Sequence, residues 1–518
     1  MDWRIEARGV FTGDASRPWQ STAAVRAGRF VDPLAVDSPL FRLGECWILP
    51  GLIDAHLHLL MGGLSLSRLD LSTAHTREEF EQMVAAHAAT LAPSAWLEAF
   101  GWDERSLGGA RPTADWLRGA GERCAVAWRC DQHVALANHA AMSQIDLTQS
   151  LPGGSIERAP DGSPTGIFVE QAAWRLLIPA IPPPTMAARE RALADAASHL
   201  AALGVTSCGA MEYLADIEAV LLPRALAHQL PLRVFATILD RDGTLPTALA
   251  RARELPTTDC FRAIGFKSFA DGTLGSSTAA MMEPYSDSSG AGELVEHARN
   301  GTLVQWMEQV LAAGFSPSVH AIGDRALDLV LQAAERADPE RRVRFEHAQT
   351  VDPASLPRFD GRRLSMQPFH KATDAPTIRA RLGESRENRA FRFRDFLNHG
   401  GHLAFGSDWP ISSANPLEGM RTAITGLAID GREYWPGQTL TPLEAIEVYT
   451  IGAAECLGAP SALGRIAPGF AADFVALDRD PLTCDWHTAA PRVLLTAIGG
   501  RIVYDAIGAT NEIASTTR

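Results

Sequence analysis

The chain has 518 residues, a formal net charge of −14 and 46% hydrophobic residues. This length allows one barrel with additions or several domains, and the acidic balance argues against nucleic acid or an anionic membrane surface as the main partner. The N-terminal residues lack a long apolar run and the other apolar runs are short, so we expect neither a secretory signal nor a membrane-spanning helix.

The seven cysteines are odd in number and contain no Cys-x-x-Cys pair. This pattern argues against a disulfide framework and against a structural zinc knuckle. We therefore expect buried free thiols and a cytoplasmic protein.

The first predicted elements are short strands in residues 1–50, separated by turns. The next segment, GLIDAHLHL at 51–59, is an apolar run that ends in His56 and His58. Alternation along a strand places both imidazoles on one face. A single pair of this kind is only a weak sign of a metal site.

Residues 65–180 are rich in Trp, Gly and Pro. They separate the first strand from the next by far more than one strand–helix unit. Because the loops that follow barrel strands leave from the C-terminal face, we interpret this segment as a subdomain inserted over the barrel mouth.

From residue 186 onward, helix-like and strand-like segments alternate. The segment 186–204 has a helical apolar stripe that ends at Gly204. Seven further strands are predicted at VTSCGAM (205–211), 232–239, 261–272, 316–324, 343–349, 363–370 and 402–410. Together with 51–59 they make eight, which predicts an α/β fold with a TIM (β/α)8 barrel.

The predicted barrel thus comprises 51–64 and 181–458, with the insert between these segments. The two ends of the chain, 1–50 and 459–518, are β-rich and punctuated by Gly and Pro. We expect them to pair into one small composite β-sandwich.

Polar residues stand at the C-terminal ends of several predicted strands. They are His56, His58, Lys267, His320, His347 and Asp408. Because the C-terminal ends of parallel barrel strands share one mouth, these side chains should converge. Four imidazoles and a carboxylate form a ligand set for one or two divalent metal ions, and the imidazoles favour Zn²⁺.

Lys267 and Asp408 need separate chemical roles. A buried ammonium beside metal ions would be repelled, so Lys267 should be neutral or carboxylated to a carbamate that bridges two metals. The competing explanation for Lys267 is an ion pair with Asp271. Asp408 can bind metal, accept a proton from an activated water and return it to the leaving group.

Six motifs, in chain order, resemble the amidohydrolase superfamily and within it the family-3, YtcJ-like branch that includes N-substituted formamide deformylases. They are PGLIDAHLHL, FKSFADGTLGSSTA, VHAIGDRA, RFEHAQ, SMQPFH and FGSDWPISSANPL. The resemblance implies a metal-dependent hydrolase acting on a small-molecule amide. In this branch either one or both metals are present, and by analogy its members are often homodimers.

The same resemblance implies roles for the predicted ligands. His56 and His58 would bind the first metal, and His320 and His347 the second. Lys267 would be the bridging carbamate, with Asp408 as ligand and proton shuttle. The insert would direct Arg129, Asp131 and His133 toward the substrate, although a packed strand with satisfied polar groups is an alternative for Arg129 and His133.

Other residues are candidates for contact with the substrate or for a supporting role. His370 could contact substrate or cap a strand end. Trp102, Trp409, Phe369 and Met282 could form an apolar wall or be ordinary core residues. Glu346 precedes His347, and alternation predicts that it faces the opposite way.

Hydrolysis of an amide or related C–N bond by metal-activated water is the leading hypothesis. Deamination on the same barrel is less favoured, because no His-x-x-Glu segment starts at His320 and Lys267 would be superfluous. Ester or phosphoester hydrolysis uses the same metals. A non-catalytic regulatory or binding protein is disfavoured by the complete set of ligands.

Overall fold

The computed structural model describes residues 2–14, 16–33, 38–149, 151–240 and 245–508. The N-terminal part contributes five strands: β1 (Trp3–Phe11), β2 (Trp19–Arg26), β3 (Arg29–Val31), β4 (Leu40–Arg42) and β5 (Trp47–Pro50). β1 pairs with β2 antiparallel and with β4 and β5 parallel. Alternate residues in the first half of β1 are buried, so one face of this sheet packs on a core.

The chain then enters the barrel through β6 (Leu52–Leu57) and α1 (Leu59–Ser65). Every residue of β6 is buried, as expected for a strand covered on both faces. His56 lies within β6 and His58 is the N-cap residue of α1.

The insert forms its own six-stranded sheet, in the order β11-β12-β10-β9-β8-β7. Its elements are β7 (Leu69–Asp70), α2 (Arg77–Ala88), β8 (Leu97–Trp102), β9 (Ala125–Arg129), β10 (Val134–Ala137), α3 (His139–Met142), β11 (Gly154–Arg158) and β12 (Pro164–Glu170). Its two faces carry separate hydrophobic clusters, one around Phe80 and Trp102 and the other around Trp128 and Phe168. The insert therefore has a core of its own.

The remaining barrel strands are β13 (Val205–Glu212), β14 (Arg233–Leu239), β15 (Phe261–Phe269), β16 (Ser316–Ala321), β17 (Arg344–His347), β18 (Arg363–Met366) and β19 (His402–Phe405). The helices between and after them are α4 (Met186–Ala202), α5 (Leu214–Asp216), α6 (Leu222–Leu226), α7 (Leu245–Glu254), α8 (Glu296–Arg299), α9 (Leu303–Ala312), α10 (Asp324–Ala337), α11 (Pro368–Leu382), α12 (Phe393–Asn398), α13 (Pro416–Thr425), α14 (Pro442–Val448) and α15 (Ile451–Cys456).

These strands form an eight-stranded parallel sheet in the order β19-β18-β17-β16-β15-β14-β13-β6. Its first and last strands approach each other at the C-terminal end, where Asp408 N donates to His56 O (2.7 Å) and His58 N donates to Trp409 O (2.8 Å). The sheet is thus a nearly closed barrel, and the predicted fold class is confirmed. Among the described residues no helix is long and apolar enough to cross a membrane.

The last strands, β20 (Phe474–Leu477), β21 (Val493–Ile498) and β22 (Arg501–Asp505), return to the N-terminal sheet. β20 pairs antiparallel with β5, so both ends of the chain share one sheet. A buried ion pair between Arg233 Nε and Asp473 Oδ2 (2.6 Å) ties this sheet to the barrel. The end of the predicted segment 459–518 lies outside the described residues.

Several predicted strands are shorter in the structure; 261–272 ends at Phe269 and 402–410 ends at Phe405. The segment 363–370 is not a strand throughout: β18 ends at Met366 and α11 begins at Pro368. Proline is favoured in the first turn of a helix because its fixed φ suits the helix and its missing N–H is not needed there. His370 therefore lies in the first turn of α11.

Candidate metal centre

Two histidines and one aspartate meet where the first and last barrel strands join. His56 Nε2 lies 3.3 Å and His58 Nε2 lies 3.4 Å from the same oxygen, Asp408 Oδ1. Ligand atoms from these three residues lie within 4.8 Å of one another. Asp408 has a φ of +59°, a left-handed conformation that costs energy in a non-glycine residue.

The other three predicted ligands adjoin this group. Lys267 Nζ lies 3.4 Å from His56 Nε2. The ring centres of His320 and His347 are 4.4 Å apart, and that of His347 is 5.0 Å from that of His56. The structure thus brings together all six side chains that the sequence analysis placed at the strand ends.

Each of the four imidazoles uses one ring nitrogen for a bond to the protein. The partners are Glu346 Oε2 for His56 Nδ1 (2.7 Å), Met211 O for His58 Nδ1 (3.2 Å), Gly272 O for His320 Nε2 (3.0 Å) and Gln367 Oε1 for His347 Nδ1 (2.8 Å). A nitrogen that donates its proton in this way leaves the other nitrogen with a lone pair. Each ring is therefore prepared for coordination through its second nitrogen.

Glu346 departs from the alternation predicted for its strand. It was expected to face away from His347, yet its carboxylate bonds to His56, and both residues are fully buried. His347 has a φ of +70°, so regular strand alternation ends there and both neighbours can reach the centre. Beneath the centre, Arg344 Nη2 lies 3.1 Å from Glu346 Oε1.

The electrostatics of the site favour a charged carboxylate and, for three of the four histidines, a neutral imidazole. Burial lowers the pKa of His58, His320 and His347. For His56, burial and Lys267 lower the pKa, but Asp408 and Glu346 outweigh them and raise it. For Asp408, burial opposes ionisation, but His56 and His58 outweigh it and hold the pKa well below its usual range. Neutral imidazoles and an ionised carboxylate are the forms that bind a divalent metal, so these residues fit one.

His370 adds a fifth imidazole on the far side of Asp408. Its Nε2 is buried, has no hydrogen-bond partner among the residues that the structure describes, and lies 3.8 Å from Asp408 Oδ2. Ligand atoms of His347, His370 and Asp408 also lie within 4.8 Å of one another. His370, predicted to contact the substrate, is therefore placed to bind either a substrate or a metal ion.

Arg129 and Asp131 both line the cavity above the centre. The guanidinium of Arg129 is occupied by Glu104 (2.8 Å) and Asp131 (2.7 Å). Asp131 Oδ2 also accepts hydrogen bonds from Thr273 Oγ1 (3.1 Å) and Ser276 Oγ. Together they fasten the insert to the loop that follows β15.

His133 also reaches the cavity, whereas Trp102 does not. His133 Nδ1 bonds to Glu170 Oε2 (2.9 Å), and its ring centre is 6.2 Å from that of His320. Trp102 is fully buried in the insert core, where its indole N–H donates to Ala127 O (2.8 Å).

The centre forms the floor of a cavity of about 1240 Å³, which is large for a small-molecule site. An apolar stretch of its wall comes from 178–184, the sequence IPAIPPP, together with Met61 and Tyr213. Trp102, Trp409, Phe369 and Met282, the candidates for this wall in the sequence, do not line the cavity. The Pro-rich apolar run was the signal that could have located it.

Residues 43–504 match the amidohydrolase family. The protein LONG AFTER FAR-RED 3 of Arabidopsis thaliana is 30% identical, with 96% of this chain and 90% of that protein covered. YtcJ of Bacillus subtilis (strain 168), named as an amidohydrolase, is 30% identical, with 88% of each chain covered. The N-substituted formamide deformylase of Arthrobacter pascens is 24% identical over 98% of this chain and 99% of that enzyme.

Among solved structures, an uncharacterised metal-dependent hydrolase from Pyrococcus horikoshii OT3 superposes with a TM-score of 0.77. It is 27% identical in sequence, and the match covers 94% of this chain and 99% of that one. The similarity thus extends over the barrel, the insert and the terminal sheet.

Proposed function

Because the chain belongs to the amidohydrolase family, we propose that it hydrolyses a non-peptide C–N bond in a small-molecule amide. The coarser activity, that of a metal-dependent hydrolase, follows from the family and from its structural relatives. One observation carries the proposal: four imidazoles, Lys267 and an ionised Asp408 meet on the floor of one large cavity.

A bound divalent ion, for which the imidazoles favour Zn²⁺, would polarise the substrate carbonyl and lower the pKa of water to about 7. Asp408 is the proton carrier in our proposal. Its Oδ1 faces His56 and His58, and its Oδ2 is directed toward His370. From this position it can accept a proton from the attacking water and deliver it to the departing nitrogen.

Lys267 is proposed to act as a carbamate. It is 1% exposed and its Nζ lies 3.4 Å from His56 Nε2, so an ammonium there would oppose metal binding. A neutral Lys267 amine can add to CO₂ and lose a proton, which forms an N–C bond and a carbamate anion. That anion would neutralise positive charge between two metal ions.

His133 and His370 are proposed to contact the substrate, because both line the cavity beside the ligands. Arg129, which also lines the cavity, is likewise proposed to contact the substrate. The seven free cysteines suit the cytoplasmic location that we propose, and a homodimer is proposed on analogy alone.

The test is turnover of a panel of N-formyl and N-acyl amides by purified protein of known metal content. Asp408→Asn should lower kcat by about 10³-fold, because it removes the proton carrier while keeping the side-chain shape. Asp161→Asn, in an exposed turn of the insert, is the control and should leave kcat unchanged. Full activity of a metal-replete Asp408→Asn protein would contradict the proposed role.

A further inference from the structure

The arginine side chains around the cavity are all paired with carboxylates of the protein. Four arginines line the cavity, and each is already engaged by a carboxylate. Arg68 Nη2 lies 2.6 Å from Glu98, and Arg189 Nη1 lies 2.8 Å from Asp216. Arg105 is paired with Asp103.

Arg129, the most buried of the four, is the most heavily neutralised. Its guanidinium contacts Glu104 (2.8 Å) and Asp131 (2.7 Å), and Asp103 lies 3.7 Å away. A substrate carboxylate that approached any of these arginines would come within a few ångströms of a carboxylate already in place. Two such charges repel each other strongly in a partly desolvated cavity.

The acidic groups outnumber the arginines. In the described part of the chain, eight carboxyl side chains line the cavity. Asp374 and Asp430 are two of them, and neither is within ion-pair distance of a cation there; their partners are Gln349 Nε2 (2.9 Å) and Tyr434 Oη (2.8 Å). Burial raises the pKa of a third, Glu212, to about 8, so this one adds no charge at neutral pH.

One stretch of the cavity wall is apolar and uncovered. Ile178 is 41% exposed and Tyr213 is 40% exposed, and both line the cavity with the prolines of 178–184. Large exposed apolar side chains in a concave site are typical of surfaces that bind an apolar part of a ligand.

We infer that this site selects amides that carry a bulky apolar group and no carboxylate, and that it discriminates against N-acyl amino acids. The inference rests on the proposed function and names the substrate class for the same site. The apolar group packs against 178–184, while the paired arginines offer no place for an anion. The selectivity thus has two sources: the carboxylates of the cavity repel an anionic substrate, and the apolar stretch binds the bulky group.

A matched pair of compounds tests the inference. N-acetylphenylglycinamide and N-acetylphenylglycine, each as both enantiomers, have nearly the same bulk and differ in charge. We expect kcat/KM to be about 100-fold higher for the neutral amide. High ionic strength should narrow this ratio, because salt screens like-charge repulsion.

Binding to chelator-treated protein separates this inference from the proposed reaction. Calorimetry should give a Kd at least about 10-fold lower for the neutral compound, because the pocket charges act without metal or turnover. If neither compound is hydrolysed but this preference holds, the proposed reaction fails and the inference stands. Equal or tighter binding of the acid, or binding of neither compound, overturns the inference.

A variant that releases one arginine provides the second test. Asp216→Asn removes the partner of Arg189, and the preference for the neutral compound should fall about 10-fold. Glu190→Gln is the matched control, because Glu190 lies on the same helix as Arg189 but outside the cavity, where it forms a surface ion pair with Arg224 of α6. An unchanged preference in Asp216→Asn would contradict the role of the paired arginines.

Discussion

Glu346 determines how His56 is presented to the centre. Its carboxylate bonds to His56 Nδ1 at 2.7 Å with both side chains fully buried. Burial would raise the pKa of Glu346, but Arg344 and His56 outweigh this and lower it below its usual range, so the carboxylate stays ionised. An ionised carboxylate at Nδ1 fixes the ring orientation and makes Nε2 a stronger donor.

We predict that Glu346→Gln weakens metal affinity by about 10- to 100-fold, because the amide still fits but no longer carries the charge that supports His56. Competition with a chromophoric chelator measures this affinity directly. Glu335→Gln, which removes an ion pair with Arg358 on the outside of the barrel, should leave the affinity unchanged. Unaltered metal binding in Glu346→Gln would show that His56 needs no such support.

The six side chains that gather at the candidate centre carry a signal in the sequence, whereas those that orient them do not. The six strand-end residues could be predicted because each stands at the end of an apolar run. Glu346 could not, because strand alternation assigns it to the opposite face and the left-handed turn at His347 is invisible in the sequence. Gln367 and Gly272 lie within the motifs SMQPFH and FKSFADGTLGSSTA, but these motifs do not show which histidine each residue contacts.

At the scale of elements, the insert and the loop after β15 act as one support for His320. Asp131 of the insert accepts hydrogen bonds from Thr273 and Ser276 of that loop. The same loop supplies the Gly272 carbonyl, which lies 3.0 Å from His320 Nε2. A contact made in the insert is thus transmitted to a predicted metal ligand of the barrel.

Asp131→Ala should therefore release the loop and lower the affinity of the half-site that contains His320 by about 10-fold. Metal titration with Co²⁺, followed by its visible spectrum, would show a weakened second equivalent with the first retained. Asp161→Ala serves as the control, because its side chain bonds only within an exposed turn of the insert. If binding of both Co²⁺ equivalents were weakened to the same extent, the insert would be unfolded in general, and the proposed support of His320 would be contradicted.

The elements themselves were largely predictable from apolar periodicity, and the exceptions have local causes. The predicted strand through His370 ends early because Pro368 starts a helix. The insert could be located by its length, but its six-stranded sheet could not be derived, since short strands with mixed pairing leave many possible orders.

At the scale of the whole molecule, segments from 56 to 408 meet at one centre, so a bound ion would hold the barrel together. Without metal, the buried imidazoles and Lys267 repel one another if protonated. Ligand binding to the folded state alone stabilises it by about 4 kcal/mol when the free ligand exceeds Kd 1,000-fold.

We therefore expect chelation to lower Tm by several degrees, and Zn²⁺ to restore it. Differential scanning fluorimetry before and after chelator treatment measures the shift. His58→Ala should show a smaller shift, because it lacks one ligand. The same Tm for metal-loaded and chelated protein would mean that the centre does not bind metal in the native state.

The barrel could be predicted because the sequence shows eight strand-like segments, most of them separated by helix-like ones, and because polar residues stand at the ends of several of these strands. The cavity above it could not, because its walls come from loops whose paths depend on tertiary contacts. The paired arginines illustrate this, since Arg189 and Asp216 lie on separate helices and the sequence does not indicate that they meet.

The terminal sheet has a consequence for synthesis of the chain. β1 and β5 are synthesised long before β20, so β5 must wait for β20 to complete its pairing. Trp3 likewise waits for Gly500, whose carbonyl accepts its indole N–H at 3.1 Å. The apolar edge of β5 therefore stays open while the residues between β5 and β20 are synthesised, and nascent chains that stall before β20 should need a chaperone.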